Sequence, residues 1–331
     1  MIHGGNVWSD KDPAQWLDFS ANLRPEGPPD WVKDVLRQSI QDARYYPDPE
    51  MQAACTGLAA YLGIPENRIL PTAGGAAAID LALSGQEGTV FIEPVTFNEY
   101  AERARVHGRP LSVSSLCSEL PMHPGDTAVL CNPNNPTGTV LSADTVLDLH
   151  KSISASGGEL IVDEAFIDFC PEHSVRRYVS DTLILVGSLT KLLGIPGIRL
   201  GYIAGNPETI SILRRCQLSW SLNAMAAAVA QALPAHMDEI QADIRLNSRR
   251  RDHFVSALRS LGADISASAA NFLLVRFPCS MQPAIPVLRS HGILVRDCTS
   301  FGLDSRYLRL AVRLDEENER LTEELRAWLK H

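Results

Sequence analysis

Between residues 68 and 205 short apolar runs recur at 68–70, 89–93, 127–132, 159–163, 182–187 and 200–204. Longer stretches separate them, and one such stretch, 142–156, carries the apolar spacing of an amphipathic helix. This alternation predicts a parallel or mostly parallel sheet with flanking helices, an α/β arrangement whose ligands lie near the loops at the strand ends. From 206 to 259 the chain reads as helical, with an Ala-rich part (223–233) and a charged part (237–251) placed to cross between domains. Beyond it, 271–277, 293–296 and 307–313 read as strands and 316–330 as a terminal helix, the order of a small α+β domain. The first 50 residues are rich in Pro and Gly at 24–29 and 45–49, which predicts an extended arm with one helix near 31–39. The expected organisation is an arm over 1–40 that contributes to the small domain and the active site, a large domain over 41–230 and a small C-terminal domain over 231–331.

Composition narrows the function. A chain of 331 residues, 45% hydrophobic, buries enough apolar surface for two such domains. A net charge of -9 argues against general affinity for nucleic acid or anionic membrane, so any anion must be held by a local site. The seven cysteines are scattered without a CxxC pair or zinc-like His spacing, so no metal is expected and a reducing compartment fits. The opening MIHGGNVWSDKD has no basic, apolar leader, and no apolar run reaches the roughly 18 residues of a membrane helix. These features predict a soluble, cytoplasmic protein.

Lysine is scarce, with five (11, 33, 151, 191, 330) against twenty-five arginines. Lys191 lies in ILVGSLTKLLGIPGIRLGYIAG, among apolar and small residues. A lysine so placed is either a snorkelling group at a strand end or a desolvated amine, its pKa lowered so that the neutral form attacks an aldehyde. Ser188, Thr190 and Arg199 add two hydroxyls and a guanidinium, a set suited to a phosphate ester. Gly74, Gly75 and Ala76 open a predicted helix directly after the run at 68–70, and its free N–H groups suit a phosphate, although a small Gly-rich turn is often only a turn. Asp163 ends an apolar strand, where a carboxylate either caps the next loop or needs a cationic partner such as a protonated pyridine nitrogen. Asn135 sits in the rigid turn CNPNNPTG, which is either punctuation or a donor to a cofactor oxygen.

NPNNPTG (132–138), DEAF (163–166) and SLTKLLGIPGIRLG (188–201), in that order and spacing, resemble the fold-type I pyridoxal 5′-phosphate (PLP) enzymes of the aspartate aminotransferase superfamily. The resemblance implies that fold, with PLP carried on Lys191. It gives Asp163 the pyridine nitrogen, Asn135 the phenolic oxygen, Ser188 and Arg199 the cofactor phosphate, and Phe97 a stacking role. It also implies a homodimer with shared active sites, in which Tyr46 reaches the cofactor phosphate of the other subunit, and it gives Arg309 the substrate α-carboxylate.

HGGN (3–6) and LDFSANLRPEGPP (17–29) resemble, more narrowly, the threonine-phosphate decarboxylase branch, which acts in cobalamin biosynthesis. That likeness implies substrate contacts from His3, Gly4, Asn22, Asn135 and Arg296 and decarboxylation of L-threonine O-3-phosphate to (R)-1-aminopropan-2-ol O-phosphate. A histidinol-phosphate aminotransferase shares the three central motifs, and HGGN with DFSAN weighs against it. A decarboxylase of another phosphorylated or phosphonate amino acid, and a PLP-binding protein without catalysis, are the remaining readings. Two positions depart from the common pattern: GGAAA (74–78) lacks a polar side chain, and Phe166 stands where many aminotransferases have Tyr.

Overall fold

The computed structural model describes residues 4–8, 12–118 and 120–330. Strand β1 (Leu17–Asp18) belongs to the arm, and the strands of the main sheet follow it: β2 (Ile69–Thr72), β3 (Val90–Ile92), β4 (Leu111–Val113), β5 (Thr127–Cys131), β6 (Glu159–Asp163), β7 (Leu183–Ser188) and β8 (Gly201–Ala204). Among the described residues they form a seven-stranded sheet in the order β2-β8-β7-β6-β5-β3-β4. The neighbours from β7 through β4 pair in parallel.

β8 departs from the expected alternation and runs antiparallel to both β7 and β2. The connection from β7 to β8 is a loop without a crossover helix, so the chain returns beside the strand it has just left. β4 has no counterpart among the expected strands. It is a sheet edge whose residues are not fully buried, so the apolar run that marks the central strands is missing.

Helices cover this sheet: α1 (Asp30–Ser39), α2 (Gln52–Leu62), α3 (Gly75–Leu83), α4 (Glu99–Val106), α5 (Ala143–Ala155), α6 (Pro207–Cys216) and α7 (Ala224–Ala232). Their apolar faces and the all-buried strands β5 and β7 make one large core. A second core gathers around β9 (Asp264–Ile265), β10 (Phe272–Arg276) and β13 (Tyr307–Ala311), with α9 (Ala284–Ser290) and α10 (Asp315–Leu329) against it. Helix α8 (Met237–Arg259) spans both, with Ile240 and Ile244 in the first core and Phe254 and Leu258 in the second. The arm is likewise shared: Leu17 and Phe19 join the second core, whereas Trp31 and Val32 of α1 join the first.

The run 293–296 reads as one strand in the sequence but serves two sheets. Its first half, β11 (Ile293–Leu294), pairs in parallel with β1; its second, β12 (Arg296–Asp297), pairs antiparallel with β13. The switch at Val295 ties the arm's strand to the C-terminal sheet through one run of chain. Among the described residues no helix is long and apolar enough to cross a membrane, and no cluster of three metal-ligating side chains occurs.

Candidate active site

The C-terminal ends of the parallel strands open into a cavity of about 340 Å³, closed on its far side by the arm and by β12 and β13. Its floor comes from consecutive strands. Asp163 ends β6, in register with Cys131 of β5 and Val186 of β7. Its Oδ1 accepts the Ala165 N–H at 2.9 Å and its Oδ2 accepts the Tyr100 hydroxyl at 2.6 Å. Burial pushes the Asp163 pKa up, while the Tyr100 and Ala165 hydrogen bonds and the Lys191 ammonium draw it back.

Lys191 lies in the loop that turns β7 back into β8, half-buried on the cavity wall. Burial first, and then the like charges of Arg309 and Arg199, bring its pKa down to about 8, against a smaller opposing pull from Asp163. An amine so tuned is neutral in a useful fraction near neutral pH, the state needed to attack an aldehyde or to accept a proton.

One wall forms an anion cradle. α3 begins at Gly75, so the N–H groups of its first turn have no helical acceptor. Gly74 precedes it at φ +86°, a left-handed conformation, and a Cβ there would come within 2.8 Å of Arg199 Nη2. Arg199 is itself left-handed at φ +62°, an unusual state for a side chain with a Cβ. Gly75, Ala76, Ser188 and Arg199 line the cavity together, whereas Gly74 stands behind Arg199 and outside the lining. The Thr190 hydroxyl is buried and has no hydrogen-bond partner within the protein.

The opposite rim is built from both ends of the described chain. In the β12–β13 register Arg296 lies directly across from Arg309, and both are buried and line the cavity. Arg309 donates from Nη1 to Asn135 Oδ1 and from Nη2 to the Ser20 carbonyl, each at 2.6 Å, while its Nε has no partner within the protein. Burial brings its pKa down to about 10, and Arg296 contributes. Arg296 donates from Nη2 to Ser300 Oγ at 2.7 Å and lies 4.9 Å from the Phe301 ring centroid. Like charges directly opposite on adjacent strands are unfavourable, so this pair is stable in use when anionic groups sit against it. Asn22 and Gly4 come from the arm, and the buried Asn22 Oδ1 also lacks a protein partner. Gly4 lies so close to Ser20 that a Cβ would be 2.0 Å from its carbonyl oxygen.

The residues marked in the sequence thus converge: Gly4, Asn22, Gly75, Ala76, Phe97, Asn135, Asp163, Ser188, Lys191, Arg199, Arg296 and Arg309 share one cavity. Tyr46 does not; it is exposed, with its ring 4.7 Å from that of Trp220. His3 lies outside the described residues. Ser20 and Tyr100 were not marked, since a serine in an arm and an aromatic on a helix carry no local signal of a site. The spaced cradle, carboxylate, amine and unpartnered buried hydroxyl match the phosphate, ring nitrogen and aldehyde of PLP.

Known proteins resemble this chain along nearly its whole length. The profile of the aminotransferase class I and II family matches residues 14–325. A threonine-phosphate decarboxylase of Salmonella typhimurium is 32% identical over 98% of this chain and 95% of its own length. A histidinol-phosphate aminotransferase of Desulfitobacterium hafniense is 30% identical over 95% of this chain and 91% of its own length. The crystal structure of L-threonine-O-3-phosphate decarboxylase from Porphyromonas gingivalis superposes with a TM-score of 0.84 at 25% identity, covering 95% of this chain and 99% of that one.

Proposed function

The chain belongs to the aminotransferase class I and II family, with PLP as its cofactor, and we propose that it decarboxylates L-threonine O-3-phosphate to (R)-1-aminopropan-2-ol O-phosphate. The observation that carries this reading is the opposed pair Arg296 and Arg309, buried in one cavity with Lys191. A substrate bearing both a carboxylate and a phosphate relieves the repulsion between those guanidiniums.

In this reading the α3 N-terminus, Ser188 and Arg199 hold the cofactor phosphate, Asp163 the ring nitrogen, and Asn135 Nδ2, left over when its Oδ1 serves Arg309, the phenolic oxygen. Bound PLP supplies an electron sink for the pair of electrons left on the substrate Cα when one of its bonds breaks. Arg309 grips the carboxylate, and its fixed position between Asn135 and Ser20 orients that group. Arg296, with Asn22 and Gly4, receives the side-chain phosphate. Lys191, with its pKa near 8, delivers the proton that takes the place of CO₂ on Cα. The relative from Salmonella typhimurium supports this reading.

A second reading, transamination of a phosphorylated amine such as histidinol phosphate, is favoured by the comparably similar relative from Desulfitobacterium hafniense. There Lys191 removes a proton from Cα instead, and Arg309 meets the carboxylate of the keto-acid partner. Incubating PLP-loaded protein with O-phospho-L-threonine, with and without 2-oxoglutarate, separates the two. CO₂ released without the keto acid supports the decarboxylase. Glutamate formed only when 2-oxoglutarate is present makes it an aminotransferase.

The exposed cluster of Tyr46, Leu218 and Trp220, 80%, 83% and 50% accessible, supports a homodimer in which this face meets a second copy and Tyr46 approaches the partner's cofactor. A monomer by light scattering at micromolar concentration would contradict it.

A further inference from the structure

The family motifs name Asp163 but not what holds it. Tyr100, on α4, is fully buried, and its hydroxyl donates to Asp163 Oδ2 at 2.6 Å while the Ala165 N–H occupies Oδ1. One donor on each oxygen fixes the plane of the carboxylate. Burial, followed by the charge of Asp163, pushes the Tyr100 phenol well above its ordinary range, so it serves as a donor and not as a competing acid. Among the influences that draw the Asp163 pKa back down against burial, the Tyr100 hydrogen bond comes first, ahead of Ala165 and Lys191. The Phe97 ring meets the Tyr100 ring edge-on at 5.7 Å, so one side chain supports both the carboxylate and a residue of the cavity wall.

We propose that Tyr100 is a positioning residue for the cofactor: its hydrogen bond keeps Asp163 ionised and oriented, so that the proton shared with the pyridine nitrogen stays on the ring. The inference rests on the assignment of Asp163 to that nitrogen. The other titratable groups around Asp163 are Cys131 on β5, Lys191 in the β7–β8 loop, Tyr202 on β8 and Glu164 next along the chain. Among the described residues, Tyr100 is the only side chain that donates to the carboxylate. Cys131 also lies against the Tyr100 hydroxyl, but its thiol is held protonated by burial and donates to the Pro133 carbonyl, 3.3 Å away.

The test compares wild type, Tyr100→Phe, Asp163→Asn and the double variant as holoenzymes, following PLP dissociation and the pH midpoint of the bound cofactor's visible absorbance. A ring with less positive charge lets the adjacent linkage nitrogen keep its proton to higher pH. Tyr100→Phe is therefore expected to raise that midpoint by about one unit and to weaken PLP binding about tenfold. In the Asp163→Asn background the same change should move neither quantity, because the charge it acts on is gone. Equal shifts in both backgrounds, or none in either, overturn the proposal. If Asp163→Asn itself behaves as wild type, the Asp163 assignment fails instead. Should Tyr100→Phe not fold, 3-fluorotyrosine at position 100, a stronger donor of the same shape, is expected to lower the midpoint; an unmoved midpoint overturns the proposal.

Discussion

The floor and the rim of the cavity are built on different principles. The floor, Asp163, Ser188 and Lys191, hangs from the ends of the adjacent strands β6 and β7 and the loop that follows, within 29 residues of chain. The rim joins Gly4 and Asn22 to Arg296 and Arg309 through the Arg309–Ser20 contact, which links positions 289 residues apart. Sheet pairing fixes the floor. The rim is held by a few hydrogen bonds between an arm and a two-stranded edge, and it can be rebuilt for another substrate without disturbing the sheet.

Substitutions sharpen this contrast. Lys191→Ala, at the floor, should abolish turnover by about 10⁴-fold whatever the substrate and remove the visible band of the bound cofactor; a variant that keeps the band sinks the lysine assignment. Arg309→Leu, at the rim, should lower kcat/KM about 100-fold for any substrate with an α-carboxylate while leaving PLP affinity near wild type. Arg296→Leu should cost about 30-fold for phosphorylated substrates and little for their unphosphorylated counterparts, and an equal loss for both would place the phosphate elsewhere. The floor also sets a pH dependence. Because Lys191 titrates at about 8 rather than 10.5, the rate at which apo-protein combines with PLP should rise with pH and level off above about 8. It should be about tenfold lower at pH 7 than on the plateau, since only about a tenth of the amine is then neutral. A plateau reached only above pH 10 would mean that burial does not tune the amine. Tyr46→Ala is the mildest change, expected to weaken PLP retention about threefold at protein concentrations where the proposed dimer is formed; unchanged retention there would remove Tyr46 from the partner's site.

The same contrast explains what could be read from the sequence. β6 runs from Glu159 to Asp163 as its apolar run predicts, whereas β7, Leu183–Ser188, is shifted by one residue from the expected 182–187. The antiparallel return of β8 was not legible, because the apolar run says nothing of direction and the connecting loop carries no period of its own. Arg296 and Arg309 were placed in the site by resemblance alone; their opposition depends on a register that no local pattern encodes. The division of 293–296 between two sheets was missed for the same reason, since a strand's partners are not written in its own residues. Tyr100, three positions after Phe97, reads as an ordinary core aromatic in the helix EYAERARV.

The pairing of β1 with β11, Leu17 against Ile293 and Asp18 against Leu294, also imposes an order of assembly. A ribosome delivers the arm first and its strand partner some 275 residues later, so through most of synthesis the arm has nothing to pair with. The cradle, Asp163 and Lys191 lie on strands and loops that have all emerged by Ala204. If the site works as proposed, the strands that would hold PLP are therefore synthesised well before the surface that would select a substrate.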